Sequence, residues 1–402
     1  MSSFGNLTDS LVDRSPRPNL LRELSEQAIL GTIFREGPIT RPEIAARTRI
    51  SKPTVSAVVE RLVDARLVQP AGERPGRRGR TPIAYVVDSA AGFVVGVDLG
   101  STVLRVAATN IYGELLHEEE LETSTGAKAV GDQITAAVEH IDRELSRRHG
   151  PLLAIGVSTP GVVDPATRRV TSLAYHVSNS GALDSLSKLE ARFRVPVLVD
   201  NDVNVAAIGE KWRGLAATVP TFVFVTIGAG VGMGIVIDNE LYRGFHGAAG
   251  EIGYLPLAAD PFDEQHRRLG GLEDEIGAAG ILSAYNRAAQ TPAESARAVF
   301  ERARQGDMAA HDVIENEARR IGLAIATVCA VVDPGLVVLG GRIGSAPELL
   351  PPIRGTVSRL LPLPTRIEIS ALAERAALEG ALGMGLREAR DRLFSRERRS
   401  AS

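Results

Sequence analysis

The sequence predicts a small, mainly α head joined to a larger α/β body. Three observations predict it. Charge is uneven: residues 1–90 carry fourteen Lys and Arg against ten Asp and Glu, while the remainder carries 32 against 39. Helical periods with cap residues run from Leu21 to Val63, and apolar strands that end in Asp or Gly turns recur after residue 92. A chain of 402 residues exceeds one ordinary domain. With 24% charged and 44% hydrophobic residues it has the balance of a soluble globular protein. Its one cysteine, Cys329, excludes an intrachain disulfide and a cysteine-held zinc. Residues Met1 to Asn19 lack the basic-then-apolar run of a signal peptide, and no apolar stretch is long enough to span a bilayer. A cytoplasmic protein is expected.

Residues 1–18 are polar and read as a flexible N-terminus. From Leu21 to Phe34, the positions Leu21, Leu24, Ala28, Ile29 and Ile33 follow a helical period, which Gly37-Pro38 stops. Thr40-Arg41-Pro42-Glu43 is a capping box, and the short helix that it starts ends near Arg49. Ser51 then caps a third helix, with Pro53 tolerated in its first turn. Val55, Val58, Val59, Leu62 and Val63 form the buried stripe of that helix, and Lys52, Thr54, Ser56 and Ala57 form its exposed face. A thin, polar helix start of this kind fits the major groove, where bases present distinguishable donors and acceptors. Lys52 and Arg61 suit phosphate contacts. Arg74, Arg77, Arg78 and Arg80 lie among glycines before strand-like Ile83 to Val87, the pattern of a wing tip and its return strand. Residues 19–88 therefore read as a winged helix-turn-helix. Its DNA-binding set is Ser51, Lys52, Pro53, Thr54, Ser56, Ala57, Arg61, Arg74, Arg77, Arg78 and Arg80.

A short linker from Asp88 to Gly92 leads into the body, residues 92–390, and a charged tail follows at 391–402. Phe93 to Val97 is an apolar strand that runs into Asp98-Leu99-Gly100-Ser101-Thr102, and Val103 to Thr109 continues as the next strand. A carboxylate at a strand end beside a glycine turn suits Mg²⁺ or water, with backbone N–H groups facing a phosphate. Thr221 to Val225 repeats the design, running into a loop with alternating Gly228, Gly230, Gly232 and Gly234. The strand Leu336 to Leu339 ends in Gly340-Gly341. The repetition predicts two related lobes facing a cleft.

These pieces together resemble the ROK family of repressors, open reading frames and sugar kinases. The resemblance rests on Asp98 to Thr102, Ser158-Thr159-Pro160-Gly161, Val199 to Asn204, the glycine loop at 228–234, Tyr242 to Gly253, Gly271-Leu272-Glu273 and Gly340-Gly341. It implies the two-lobed, actin-like ATPase fold with a sugar in the interlobe cleft, and the head matches the branch that regulates transcription. It also implies a sugar site of Gly161, Asn201, Asp202, Glu251, Tyr254 and Glu273, with carboxylates and amides bonding the sugar hydroxyls. In a kinase the residue matching Asp202 is the base that takes a proton from the attacked hydroxyl. The nucleotide set implied is Asp98, Gly100, Ser101, Thr102, Gly228, Gly230, Gly232, Gly340 and Gly341, with Mg²⁺.

Three departures bear on function. Tyr254 stands where many members carry a zinc-binding histidine, and residues 263–271 contain no cysteine. Val103 stands where a lysine or arginine often follows the first phosphate motif. No structural zinc is expected, and no cofactor is required. The expectation is a sugar-responsive DNA-binding regulator, most simply a repressor of carbohydrate-utilisation genes. It would act on an inverted-repeat operator as a homodimer or homotetramer, away from membranes. An active ATP-dependent sugar kinase is the alternative.

Overall fold

The structure is a computed structural model that describes residues 18–73, 82–171, 184–257, 260, 262–264, 266 and 270–394. The chain forms two compact units. One holds the described residues up to Ala91 together with those from Ala389 on, and the other is Gly92–Glu388.

In the first unit α1 (Pro18–Glu36), β1 (Ile39–Thr40), α2 (Arg41–Thr48), α3 (Lys52–Asp64), β2 (Val68–Glu73) and β3 (Ile83–Val87) follow in order. The strands form an antiparallel sheet in the order β1-β3-β2. This is a winged helix-turn-helix. Glu43 reaches back to the Thr40 N–H at 2.8 Å, which satisfies a donor that the helix start leaves open. Arg49 takes a left-handed conformation, φ 57°, and turns the chain from α2 into α3. Val55, Val58, Val59 and Leu62 are buried as the period predicts, and Val63 is only half-buried. The α1 stripe differs from expectation. Ile29, Leu30 and Ile33 are buried, whereas Leu24 and Ala28 face solvent. Two residues of the same helical period fall on the outer edge, while the fully buried residues of α1 lie in its C-terminal half. The wing arginines Arg74, Arg77, Arg78 and Arg80 lie outside the described residues.

The second unit contains two five-stranded sheets of the same topology. The first is built from β4 (Phe93–Leu99), β5 (Val103–Asn110), β6 (Leu115–Glu122), β7 (Leu152–Thr159) and β10 (Val197–Asn201). Between them come helix α4 (Ala127–His149), the hairpin β8 (Val162–Val163) and β9 (Val170–Thr171), and helix α5 (Asp184–Phe193). Helix α6 (Asp202–Arg213) follows β10 directly. The second sheet is built from β11 (Phe222–Ile227), β12 (Val231–Ile237), β13 (Glu240–Tyr242), β14 (Val337–Gly340) and β15 (Ile367–Ile369). The orders are β10-β7-β4-β5-β6 and β13-β12-β11-β14-β15. In each, three strands form an antiparallel meander and the last two join in parallel. Asp98 pairs across the ladder with Arg105 and Ser158, and Thr226 with Gly232 and Gly340. The turn after Asp98 and the glycine loop after Thr226 are therefore equivalent places in two copies of one design.

Each sheet buries one face against its own helices. The first packs on α4 through Val130, Ile134, Val138 and Ile141. The second packs on helices that include Ala278–Ala288, Ala296–Arg304, Met308–Val332 and Leu350–Leu360, and Cys329 is buried there as packing. The opposite faces meet a central helix pair, α6 and the final helix Ala376–Phe394. A Cβ on Gly156 of β7 would overlap the Ala381 carbonyl, one on Gly209 of α6 the Ala376 carbonyl, and one on Gly380 the Val205 carbonyl. The final helix runs to Phe394, so residues 391–394, which were expected to begin the tail, are helical. Its last turns belong to the first unit, where Arg390 lies 4.8 Å over the Phe34 ring. Among the described residues no helix is long and apolar enough to cross a membrane.

Gly380→Ala drives a methyl group into the α6 backbone and is expected to lower stability by about 1–3 kcal/mol. Gly355→Ala, on an open helical face with nothing within 4 Å of a new Cβ, is expected to be neutral or slightly stabilising. Urea unfolding of both full-length variants checks this, and equal midpoints would remove the close crossing as a constraint.

Candidate functional site

In the head, Ser51 caps α3 by accepting from the Thr54 N–H at 3.3 Å, and the two hydroxyls meet at 2.8 Å. Ser51, Lys52, Pro53, Thr54 and Ala57 are exposed, and Ser56 is half-buried. The first turn of α3 thus presents small and polar groups on one open surface, the shape a groove-reading helix needs. Arg61 is half-buried two turns further on, and its guanidinium pairs with Glu26 of α1 at 3.4 Å, with a third of the side chain open to solvent.

In the body, the cleft is built around the β10–α6 junction. Asn201 closes the strand and caps the helix. Its carbonyl oxygen accepts from the Val203 and Asn204 N–H groups at 2.9 and 3.2 Å, and its amide donates to Gly161 O at 3.1 Å and Asp202 Oδ1 at 3.0 Å. The amide is thus fully engaged, so here Asn201 positions its neighbours more than it offers itself to a ligand. Gly161 holds φ +99°, which turns its carbonyl onto that amide. One residue earlier, buried Asp200 accepts from the Asn201 N–H and the Asn204 amide, and its other oxygen pairs with Arg243 at 2.6 Å. This ion pair ties the junction to the loop after β13, which leads to Glu251.

Carboxylates converge from four segments. Asp98 at the end of β4 is buried, accepts from the Ser158 hydroxyl at 3.0 Å and has Arg105 at 3.7 Å. Burial raises its pKa, while Ser158 and Arg105 pull the other way. Burial first, then the charge of Asp98, pushes the Asp202 carboxyl up to about 7, against the Val203 N–H and with a further push from Glu251. Glu251 is itself raised by burial and by Glu273, and the Tyr254 hydroxyl by burial, Glu251 and Glu273. Glu273 accepts from the Val231 N–H at 2.9 Å, which fixes it to the end of the glycine loop. On the far side of its helix, Gly271–Ile276, Arg320 holds Glu275 at 3.2 Å and Glu317 at 3.7 Å. The expected sugar set of Gly161, Asn201, Asp202, Glu251, Tyr254 and Glu273 therefore forms one electrostatically linked group.

The expected nucleotide residues lie beside it in two turns. Gly100 donates to Val103 O at 3.0 Å, its own carbonyl accepts from Thr123 at 2.9 Å, and Ser101 and Thr102 are exposed at the tip. In the other turn Gly228 meets the start of the segment after Gly340-Gly341, since a Cβ on it would find only the Arg342 backbone N at 3.9 Å. Gly232 is different, because a Cβ there would lie 3.0 Å from Val203. Gly230 faces Glu273, Gly340 rests on the Phe224 ring, and Gly341 at φ +79° abuts Ile227.

The donor set for a structural zinc does not fit. Tyr254 offers a phenol, His266 bonds the Asp260 carbonyl at 2.6 Å and Asp274 at 3.5 Å, and His246 packs edge-on against Phe245. Among the described residues no group of three or more His, Cys, Asp or Glu side chains is placed to hold a metal ion.

Three functional residues escaped the sequence pattern. Arg105 supplies a guanidinium beside Asp98 although Val103 does not, and it is also held by Glu120 at 2.7 Å and Glu374 at 3.0 Å. A charged residue alternating with buried Leu104 and Val106 inside an apolar strand was the available signal. Asp200 and Arg243 stand within recognised motifs, but their pairing across 43 positions has no sequence signature.

Residues 94–386 match the ROK family, and residues 24–79 match the MarR family. The chain is 25% identical over 384 residues to a xylose repressor of Caldicellulosiruptor bescii, covering 91% of this chain and 96% of that protein. It is 32% identical over 282 residues to a glucokinase of Halalkalibacterium halodurans, covering 65% of this chain and 83% of that one. A solved ROK family transcriptional regulator, described as a homolog of the E. coli MLC protein, shares the fold. Its TM-score is 0.73 at 22% identity, covering 93% of this chain and 98% of that one.

Asp202 generates a pH test. Its folded pKa of about 7 lies above the ordinary 3.8, so the folded state binds the proton more tightly than the unfolded state. The stability associated with that proton is full below about pH 4 and is lost as pH rises towards 7. Asp202→Asn is therefore expected to melt several degrees above the parent at pH 8, with the difference vanishing near pH 4. Melting curves that run parallel across this range would refute the raised pKa.

Proposed function

The chain belongs to the ROK family, and from that premise we propose that it is a sugar-responsive transcriptional regulator. In this reading it represses carbohydrate-utilisation genes, and a sugar or sugar phosphate in the cleft changes its operator affinity. The observation that carries the reading is the joining, in one chain, of an open recognition helix and a cleft of converging carboxylates. The similarity to the xylose repressor spans both parts, at 91% of the chain, whereas that to the glucokinase spans 65%.

The chemistry follows from the site. A sugar presents hydroxyl donors, and Asp202, Glu251 and Glu273 are acceptors held in place by backbone N–H groups, neighbouring helices and burial. A carboxylate that accepts a sugar hydroxyl gains a partner for a charge that burial disfavours, so ligand and site relieve each other. For this to regulate DNA binding, the sugar must bind one arrangement of the lobes better than the other. We propose that lobe closure alters the spacing of two recognition helices in a homodimer or homotetramer bound to an inverted repeat. In this reading the function needs no cofactor, and hydrogen bonds from the cleft carboxylates hold the sugar. A cytoplasmic location fits a DNA-binding regulator.

A second reading, an ATP-dependent sugar kinase, is favoured by one observation: the pKa of about 7 at Asp202, which suits a general base at neutral pH. The turns at 98–102 and 228–232 and the Gly340-Gly341 pair fit a nucleotide, since Gly228 leaves its outer face open. Bound Mg-ATP would supply the phosphoryl group. Asp202 would take the proton from the attacked hydroxyl, and Glu251 and Glu273 would hold the ring.

Fluorescence anisotropy on DNA from upstream of the protein's own gene and neighbouring sugar genes tests the regulator reading. One monosaccharide or sugar phosphate is expected to weaken specific binding at least about tenfold, or about 1.4 kcal/mol. Specific binding that no sugar changes would remove the effector half of the proposal. ATP consumption across the same sugars tests the kinase reading. Turnover that Asp202→Asn abolishes while sugar binding persists would establish it, and no turnover with any sugar would dismiss it.

A further inference from the structure

A hollow of about 380 Å³ lies in the head between α1 and α3, lined by Arg22, Ser25, Thr54, Ala57, Val58 and Arg61. We propose that it seats one DNA backbone phosphate, with Arg22 as its principal ligand and Glu26 as the carboxylate that holds Arg61 back until DNA arrives. The inference rests on the DNA-binding reading and adds to it a contact from outside the recognition helix.

Position is the first argument. Thr54 and Ala57 belong to the exposed face of α3 that would enter the major groove, and they also form one wall of the hollow. A groove-bound helix has a phosphate backbone on either side, so a recess on its flank opens where phosphates pass.

Charge is the second argument. Arg22 is exposed, and among the described residues it has no ion-pair partner. Arg61 pairs only loosely with Glu26, at 3.4 Å, with a third of the Arg61 side chain still open to solvent. Two guanidinium groups against one carboxylate leave one net positive charge, which matches one phosphodiester. Guanidinium donors suit phosphate oxygens bidentately, and Ser25 and Thr54 complete the same wall, with the Thr54 hydroxyl bonded to that of Ser51 at 2.8 Å. Glu26 then acts as a brake. Before binding it compensates Arg61, and on binding the phosphate competes for that guanidinium.

Such a contact is independent of sequence, so it is tested on a short random-sequence duplex and needs no operator. Full-length parent, Arg22→Ala, Glu26→Gln and the remote control Arg35→Ala are compared by anisotropy over a range of salt concentrations. Arg22→Ala is expected to weaken binding and to make the slope of log K against log salt shallower by about 0.9, one phosphate contact. Glu26→Gln is expected to tighten binding several-fold, and Arg35→Ala to leave the slope unchanged. An Arg22→Ala slope equal to the parent's overturns the seat. A melting temperature raised by inorganic phosphate in the parent but not in Arg22→Ala supports a guanidinium acting on phosphate oxygens, and together with an unchanged duplex slope it assigns the hollow to a small anion and overturns the seat. A parent that binds no duplex at low salt overturns the DNA-binding reading itself, a different result from an unchanged slope. Matching melting curves for parent and variants show that the fold is intact.

Discussion

The body depends on two helices meeting backbone to backbone. Helix α6 crosses the final helix where Gly209 and Gly380 leave no room for a Cβ, and the final helix lies on β7 at Gly156 with equal intimacy. On its other side α6 packs against β11 and β12, where a Cβ on Gly234 would lie 2.7 Å from Ala207. The result is a stack of sheet, helix, helix and sheet whose thickness is set by glycines. Closer packing excludes water and gains dispersion contacts, but it also makes the spacing intolerant of change. Since α6 begins at Asp202, the same crossing fixes where that carboxylate stands.

That placement has an electrostatic consequence. Asp98, Asp202, Glu251 and Glu273 are drawn towards one region; burial raises the first three above their ordinary values, and repulsion from neighbouring carboxylates adds to it at Asp202 and Glu251. The fold offsets this with fixed partners: Ser158 and Arg105 for Asp98, the Val203 N–H for Asp202, and the Val231 N–H for Glu273. Arg243 plays the corresponding part for Asp200, and through it holds the junction that presents Asn201 and Asp202. A cleft of this kind is poised for a ligand rich in hydroxyl donors, because each donor replaces lost hydration.

Much of this was legible in the sequence, and what was not has physical reasons. Val55, Val58, Val59 and Leu62 were readable because burial on a helix has a period, and the β4 and β11 turns because glycine and aspartate mark strand ends. The twofold repeat of sheet topology was visible only as recurring turns, since pairing order leaves no local trace. Leu24 and Ala28 obey the helical period and still face solvent, because period predicts a face and not the extent of what covers it. The Arg61–Glu26 and Arg243–Asp200 pairs were hidden for a related reason. Each joins distant segments, and nothing in either segment alone says that the charges meet.

Retained phosphate-loop glycines favour nucleotide binding, because a sensor of sugar alone does not need such loops. Packing supplies a second reason for most of them. A Cβ at Gly100 would lie 2.6 Å from the Val103 carbonyl, one at Gly232 3.0 Å from Val203, and one at Gly341 2.4 Å from the Ile227 carbonyl. Gly340 is held by contact with Phe224. These residues are constrained by the β-meanders and the seat of α6 whether or not ATP ever binds. Gly228 alone among the assigned loop glycines leaves its Cβ direction open, with its nearest neighbour 3.9 Å away. Loop composition is therefore weak evidence for kinase chemistry in this chain, and the balance rests on Asp202 and on the head. A general base needs a pKa near neutrality, but a carboxylate buried beside other carboxylates acquires one whether or not it ever moves a proton. The head has no such double explanation. An exposed, capped helix start beside a hollow that carries two arginines offers donors of the kind a nucleic-acid backbone accepts.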